Sequence, residues 1–334
     1  MNSTVVEVLR PRPLANSCVV CGKVIIEISL RRRMASGMSL KARTAALIKH
    51  VNVKPIVTGA STFIGKSIDL GWGRVYGGQT MAQALAACQQ IVPDRSVHEF
   101  GCHFLRGGNV DEDIIFQANI LMSGGSFTVV HIRAEQTTPG NILSMTASFM
   151  KPEEGLQHQW THRKNGLRPE WLSPEECKST TELMKPYLDK IPPSMRELYA
   201  NKQPIEVRPT TFNKPWDAQR KEPTRALWIK AREKLPNDQR VQERLLTYIS
   251  DWGLLETSVF PHDVGMWNPK MQMASLSHSL KFHRDFNIET EWLCHAMHSP
   301  CSGGGRGFAV GEFWNEKGEL VASTSQEGLI RLRK

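Results

Sequence analysis

Apolar positions recur along this chain with two different periods. Between 238 and 256, Val241, Leu245, Tyr248, Trp252 and Leu255 fall three to four residues apart, the spacing that places side chains on one face of a helix. Met81, Leu85, Cys88 and Val92 repeat the pattern in "GGQTMAQALAACQQIV" (77–92), and Pro93 predicts its end. Other segments read as strands bounded by turn residues, among them "QPIEVRP" (203–209) and "RALWIKARE" (225–233). One residue fits its stripe badly. Asp251 borders the second helical face three residues after Tyr248. A carboxylate beside a core costs free energy unless hydrogen-bonded, and late in a helix the macrodipole opposes it.

The pattern is written twice. "VHEFGCHFLRGGN" (97–109) and "LSHSLKFHRDFN" (276–287) each carry a histidine (His98, His278), a phenylalanine (Phe104, Phe282) and an arginine two residues on (Arg106, Arg284). Each is followed by a strand pair that starts at a Ser-Gly-Gly, at Ser123 and Ser302, with turns at "TTPGN" and "NEKG". Each half therefore predicts one long helix followed by antiparallel strands. Packing the apolar face of each gives an α+β arrangement in which a sheet wraps a helix, and the duplication predicts a pseudo-dimer. The expected organisation is a basic extension over 1–44, a first unit over 45–150, a proline- and charge-rich linker over 151–202 with a short helix near 175–190, and a second unit over 203–334.

Charge and cysteines change this picture little. The net charge is +9, but residues 1–44 carry eight basic and two acidic side chains, leaving +3 for the rest. The basicity therefore argues for a targeting segment or a disordered extension, with Met34 and Met38 as alternative starts, rather than for a nucleic-acid partner. No apolar run reaches bilayer-spanning length. Seven irregularly spaced cysteines suit a reduced protein, and "CVVC" (18–21) is a lone pair without a second zinc half-site. "GGGRG" (303–307) lacks the Lys-Ser/Thr of a phosphate loop and reads as a turn into a strand.

Several stretches, in order, carry a resemblance: "VYGGQTMAQAL", "HFLRGG", "SGGSFTVV", "MASLSHSLKFHR", "RGFAVGEFW" and "VASTSQEGLIR". Together they resemble the acyl-CoA thioesterase II family, from about Ala45 to Arg331. The resemblance implies a double hot-dog fold and hydrolysis of fatty acyl-CoA to fatty acid and CoA. It implies a catalytic aspartate at Asp251 in "YISD", a hydroxyl at Ser275 in "ASLSHS", and a glutamine at Gln326 in "SQEG". It also implies further assembly into a homodimer or larger oligomer, and a peroxisomal location. The closing "RLRK" does not match the S-K-L type signal, and the Arg-rich extension would favour mitochondria. One departure stands out: the family usually has Asp before the His-Ser, and Ser277 is here. That keeps a second expectation open, a catalytically weak acyl-CoA-binding hot-dog protein.

The chemistry is consistent with such a set. A carboxylate can take a proton from water, while a hydroxyl and an amide fix its other hydrogen bonds. Backbone N–H groups opening a helix can hold the oxyanion, which makes Gly77 and Gly78 candidates. His278 is a candidate neighbour of the site. No metal or cofactor is required, the CoA thioester being the substrate. The first repeat offers only Ser148 or Phe149 where the second has Gln326, so one site per chain is expected.

Overall fold

Two central helices, buried along most of their length, dictate the architecture. The computed structural model describes residues 37–59, 61–159 and 172–333; the "CVVC" motif lies outside them. The first half contains α1 (Leu40–His50), β1 (Lys54–Pro55), β2 (Thr62–Gly65), α2 (Gly77–Ile91), β3 (Ser96–Phe104), β4 (Ile114–Ser123), β5 (Phe127–Gln136) and β6 (Gly140–Met150). Among its described residues the linker holds two short α-helices, α3 (Thr180–Met184) and α4 (Arg196–Ala200). The second half contains β7 (Ile205–Pro209), β8 (Thr224–Ala231), α5 (Gln239–Ser250), β9 (Met271–Phe282), β10 (Leu293–Gly303), β11 (Arg306–Asn315) and β12 (Leu320–Leu332).

The strands form one antiparallel sheet in the order β1-β2-β4-β5-β6-β3-β9-β12-β11-β10-β8-β7. Its centre is the junction β3·β9, where Gly101 faces Ser279 and Cys102 faces His278. Around that seam the β4-β5-β6-β3 and β10-β11-β12-β9 runs mirror one another, so the duplication seen in the sequence becomes a pseudo-two-fold. One hydrophobic cluster crosses the seam, joining Met81 and Leu85 of α2 with Leu245 and Tyr248 of α5, Phe149 of β6 and Phe313 of β11. Two units, each with one long helix against antiparallel strands, are present as expected.

Several local expectations need correction. α2 is buried from Gly78 through Gln89, not on one stripe alone, because alanines fill most of the remaining turns and let neighbours close in on every side. The second helix stops at Ser250 with Asp251 as its C-cap, whereas the apolar spacing ran on to 256. Gly253 takes a positive φ of 74° and a 3₁₀ turn follows over Leu255–Ser258, keeping Leu255 on the buried side without a continuous helix. α1 starts at Leu40, inside the segment read as extension, where the Ser39 hydroxyl accepts the Ala42 N–H at 3.2 Å. His98 is also not the counterpart of His278. A bulge between Val97 and Glu99 turns it to the opposite face, where its Nε2 meets Ser148 Oγ at 2.8 Å.

Candidate active site

α2 and α5 lie antiparallel, so the C-terminus of α5 meets the N-terminus of α2. This resolves the difficulty with Asp251. Its own helix disfavours a negative charge there, but the carboxylate reaches the opposite pole of the other helix. Oδ2 accepts the Gly78 N–H at 3.0 Å, in the first turn of α2, which has no side-chain cap of its own. The glycines make that approach possible. A Cβ on Gly77 would lie 2.8 Å from Asp251 Oδ2, and one on Gly78 would lie 2.3 Å from the Tyr248 carbonyl oxygen. Larger residues would push the helices apart.

The other carboxylate oxygen faces the sheet. Gln326 Nε2 donates to Asp251 Oδ1 at 2.6 Å and to Ser275 Oγ at 2.7 Å. Ser275 Oγ itself stands 3.5 Å from Asp251 Oδ1, a long contact that Gln326 bridges. The three side chains come from α5, β9 and β12, and a bulge brings them together. Gln326 pairs with His278 and Glu327 with Ser277, but Gly328 pairs with Ser275. Leu276 is the extra residue, and it turns Ser275 to the same face as Gln326. Burial raises the Asp251 pKa from its ordinary value of 3.8, opposed by the hydrogen bonds from Gln326, Gly78 and Ser275. Gln326 is buried, and its Oε1 has no hydrogen-bond partner among the described residues.

The structure thus gathers Asp251, Ser275, Gln326, Gly77 and Gly78 into one place. It sets His278 behind them. The His278 ring meets Ser250 Oγ at 2.9 Å and Thr324 Oγ1 at 3.0 Å through Nε2, and makes no hydrogen bond to the Asp251 carboxylate. Burial lowers its pKa to about 3, so it is a neutral ring steadying the residue before Asp251. Gly78 spends its N–H on the carboxylate. It fixes the carboxylate in this arrangement, which differs from the oxyanion-holding role read for it from sequence. Ser277 falls on the opposite face from the trio, between His103 and Glu327. Cys102 is buried and its thiol pKa is pushed up by that burial, which does not suit a nucleophile.

Sequence reasoning missed Tyr76 and its neighbours. The Tyr76 hydroxyl donates to the Tyr248 carbonyl at 2.9 Å, tying the residue before α2 to the last turn of α5. Tyr76, Tyr248, Trp252 and Trp72 stack edge to face or tilted, with ring centroids 5.1 to 6.3 Å apart. The only sequence signal was Tyr76 standing directly before Gly77-Gly78.

Comparison with known proteins gives the family and the fold. The family described as "Acyl-CoA thioesterase" matches residues 194–329, and "Acyl-CoA thioesterase N-terminal domain" matches 68–150. The chain is 35% identical to acyl-CoA thioesterase 2 of Haemophilus influenzae over 80% of its own length and 92% of that protein. It is 30% identical to human acyl-coenzyme A thioesterase 8, over 87% and 90% of the two chains. Among solved structures, an acyl-CoA thioesterase II of Mycobacterium marinum covers 86% of this chain and 99% of its own, with a TM-score of 0.66 and 26% identity. A hot-dog protein from Alicyclobacillus acidocaldarius reaches a TM-score of 0.65 at 16% identity, covering 86% of this chain and 99% of its own, a likeness of fold. The fold is a double hot-dog. The chain belongs to the acyl-CoA thioesterase II family, whose members hydrolyse acyl-CoA thioesters.

Proposed function

We propose that hydrolysis proceeds by direct attack of a water held between Asp251, Ser275 and Gln326. The observation that carries this is the Gln326 amide, which donates to both Asp251 and Ser275 and so holds the carboxylate and the hydroxyl side by side. Asp251 takes the water proton and, as the tetrahedral oxyanion collapses and the C–S bond breaks, returns it to the departing CoA thiolate. Ser275 Oγ and the Gln326 amide fix the water's remaining directions, so its lone pair points at the thioester carbon. The raised pKa of Asp251 makes it a stronger base than a solvated carboxylate. We assign the oxyanion to the Gly77 N–H, which has no acceptor within its own helix. The step uses no metal or cofactor.

Single turnover in ¹⁸O-labelled water, with the intact protein mass read at rapid quench, tests this. Direct attack puts the label in the fatty acid on the first turnover and leaves the protein mass unchanged. Unlabelled acid on the first turnover, or an acyl adduct on the protein, would overturn it. Catalytically weak acyl-CoA binding is the second reading. It rested on Ser277, whose place on the other face gives it no contact with the trio.

The family resemblance also supports a homo-oligomer of double hot-dog chains and a peroxisomal location. Light scattering giving only a 37.6 kDa species would refute the first. Imaging a fusion with a free C-terminus, against one starting at Met34, tests the second.

A further inference from the structure

At the end of α5 that carries the aspartate, against the edge strand β7, lies a pocket of about 800 Å³ including the open solvent at its mouth. None of Asp251, Ser275 or Gln326 lines it, so the hydrolytic chemistry leaves it unused. Its walls are mostly apolar and come from separate parts of the chain. Ile249 and Trp252 belong to the end of α5, Val207 to β7, Leu70 to the loop before α2, and Leu198 and Tyr199 to the linker helix α4. Trp252 is the residue next to the catalytic aspartate, and its ring lies 6.2 Å from that of Tyr76. A mostly apolar lining with a few polar groups at its edge is the make-up that small-molecule sites take.

The polar groups at the edge do not call for a charged ligand. Glu206 is already paired with Arg232 at 2.7 Å and with Arg208 at 2.7 Å. The linker wall is also fixed in place. The Thr180 hydroxyl donates to the Val207 carbonyl at 3.1 Å, the Ser194 hydroxyl to the Gly71 carbonyl at 2.7 Å, and Arg43 of α1 pairs with Glu197 at 3.7 Å. A wall tied to both hot-dog units cannot yield easily to a longer occupant.

We propose that this pocket receives the acyl chain, and that the linker segment carrying α3 and α4, which belongs to neither hot-dog unit, sets the chain length accepted. The inference rests on the thioesterase reading of Asp251. Each methylene that enters an apolar pocket adds to binding, and each one excluded by a rigid wall is penalised.

The test is a profile of kcat/KM from butanoyl-CoA to hexadecanoyl-CoA for wild type, Leu198→Trp, Val207→Phe and Leu198→Ala. The filling variants are expected to lose at least about tenfold on the longest substrates wild type accepts, while butanoyl-CoA stays within about twofold. Leu198→Ala is expected to shift the preference to longer chains, which keeps the test open if a filling variant fails to fold. Equal losses at every length, or an unchanged profile in all folded variants, overturn the proposal. The same substitutions placed on Asp251→Asn are read by calorimetric affinity for dodecanoyl-CoA against butanoyl-CoA. If wild type releases no CoA, the mechanism fails, and these affinities still decide the pocket: a selective loss for dodecanoyl-CoA supports it, and no selectivity overturns it.

Discussion

The two ends of the α2–α5 pair are related by the pseudo-two-fold, yet they carry opposite chemistry. At one end an anion, Asp251, accepts from the N-terminus of α2. At the other, a cation from α5 closes the C-terminus of α2. Arg240 donates to the carbonyls of Gln89, Val92, Pro93 and Arg95 at 2.6 to 3.0 Å. Each charge complements the pole it meets. The difference lies in what remains available. Asp251 keeps an oxygen facing a hydroxyl and an amide, whereas the Arg240 guanidinium spends its donors on carbonyls. At the Gln326 position the first unit has Phe149, buried in the core, and Ser148, bonded to His98. Duplication built two helix junctions, and among the described residues only that of Asp251 joins a carboxylate to a hydroxyl and an amide of the sheet, while at the other end the Glu243 carboxylate accepts from the Gln89 amide at 2.7 Å.

The largest expected effect breaks the catalytic end. Asp251→Asn should lower CoA release a hundredfold or more while the fold survives, because the asparagine oxygen can still accept from Gly78 and Gln326 can turn its unpartnered oxygen toward the new amide. Retained turnover would remove Asp251 as the base. Next comes the pair on the sheet. Gln326→Ala and Ser275→Ala should each cost roughly tenfold to a hundredfold in kcat, and the double variant less than their product, since both hold one water. Multiplicative losses would show that they act separately. At the opposite end, Arg240→Met should leave kcat within about twofold but cost about 2 kcal/mol in denaturant unfolding, the scale of hydrogen bonds made by a charged group. A variant as stable as wild type would show that this junction needs no cation.

How far this comparison could be read from residues alone depends on the kind of contact. The duplicated helix and strands were legible because buried faces impose a period on the sequence. The identities of Asp251, Ser275 and Gln326 came through family motifs, since nothing in their spacing of 24 and 51 residues shows that they meet. The bulge at Leu276 was illegible for a physical reason: it depends on the register between β9 and β12, and a single extra residue leaves no compositional trace. That same bulge puts the true partners on one face and Ser277 on the other. The Arg240 junction was missed because a charged residue in the first turn of a helix looks like a solvated one. The linker wall was missed because a proline-rich segment carries no period to follow.

Acidity sharpens the comparison with a smaller effect. Burial raises the Asp251 pKa, so the base form is present only above that raised value. The acid limb of kcat/KM should therefore lie above the ordinary 3.8. The sign for stability is the reverse. An unfolded aspartate ionises first, so stability is lost as pH rises from the unfolded pKa through the folded one. Asp251→Asn removes that loss, and its stability relative to wild type should increase with pH across this window. A difference independent of pH would mean that the carboxylate is not raised.

The smallest effect concerns the residue that departs from the family pattern. Ser277→Asp restores the usual side chain, and a role for it in ordering Ser275 predicts faster turnover. The sheet predicts otherwise. Ser277 stands directly opposite Glu327, an exposed side chain already paired with Arg306 at 2.9 Å. A second carboxylate there meets a like charge across the strands, which costs about 0.5 kcal/mol, softened by Arg306 and by solvent screening. Because the side chain faces away from Asp251, kcat should stay within about twofold, the scale of surface changes remote from a site. The unfolding midpoint should fall slightly, and added salt should restore it. A tenfold gain in kcat instead would mean that the two faces of β9 communicate through the bulge at Leu276, and the single-site reading of the second unit would have to include Ser277.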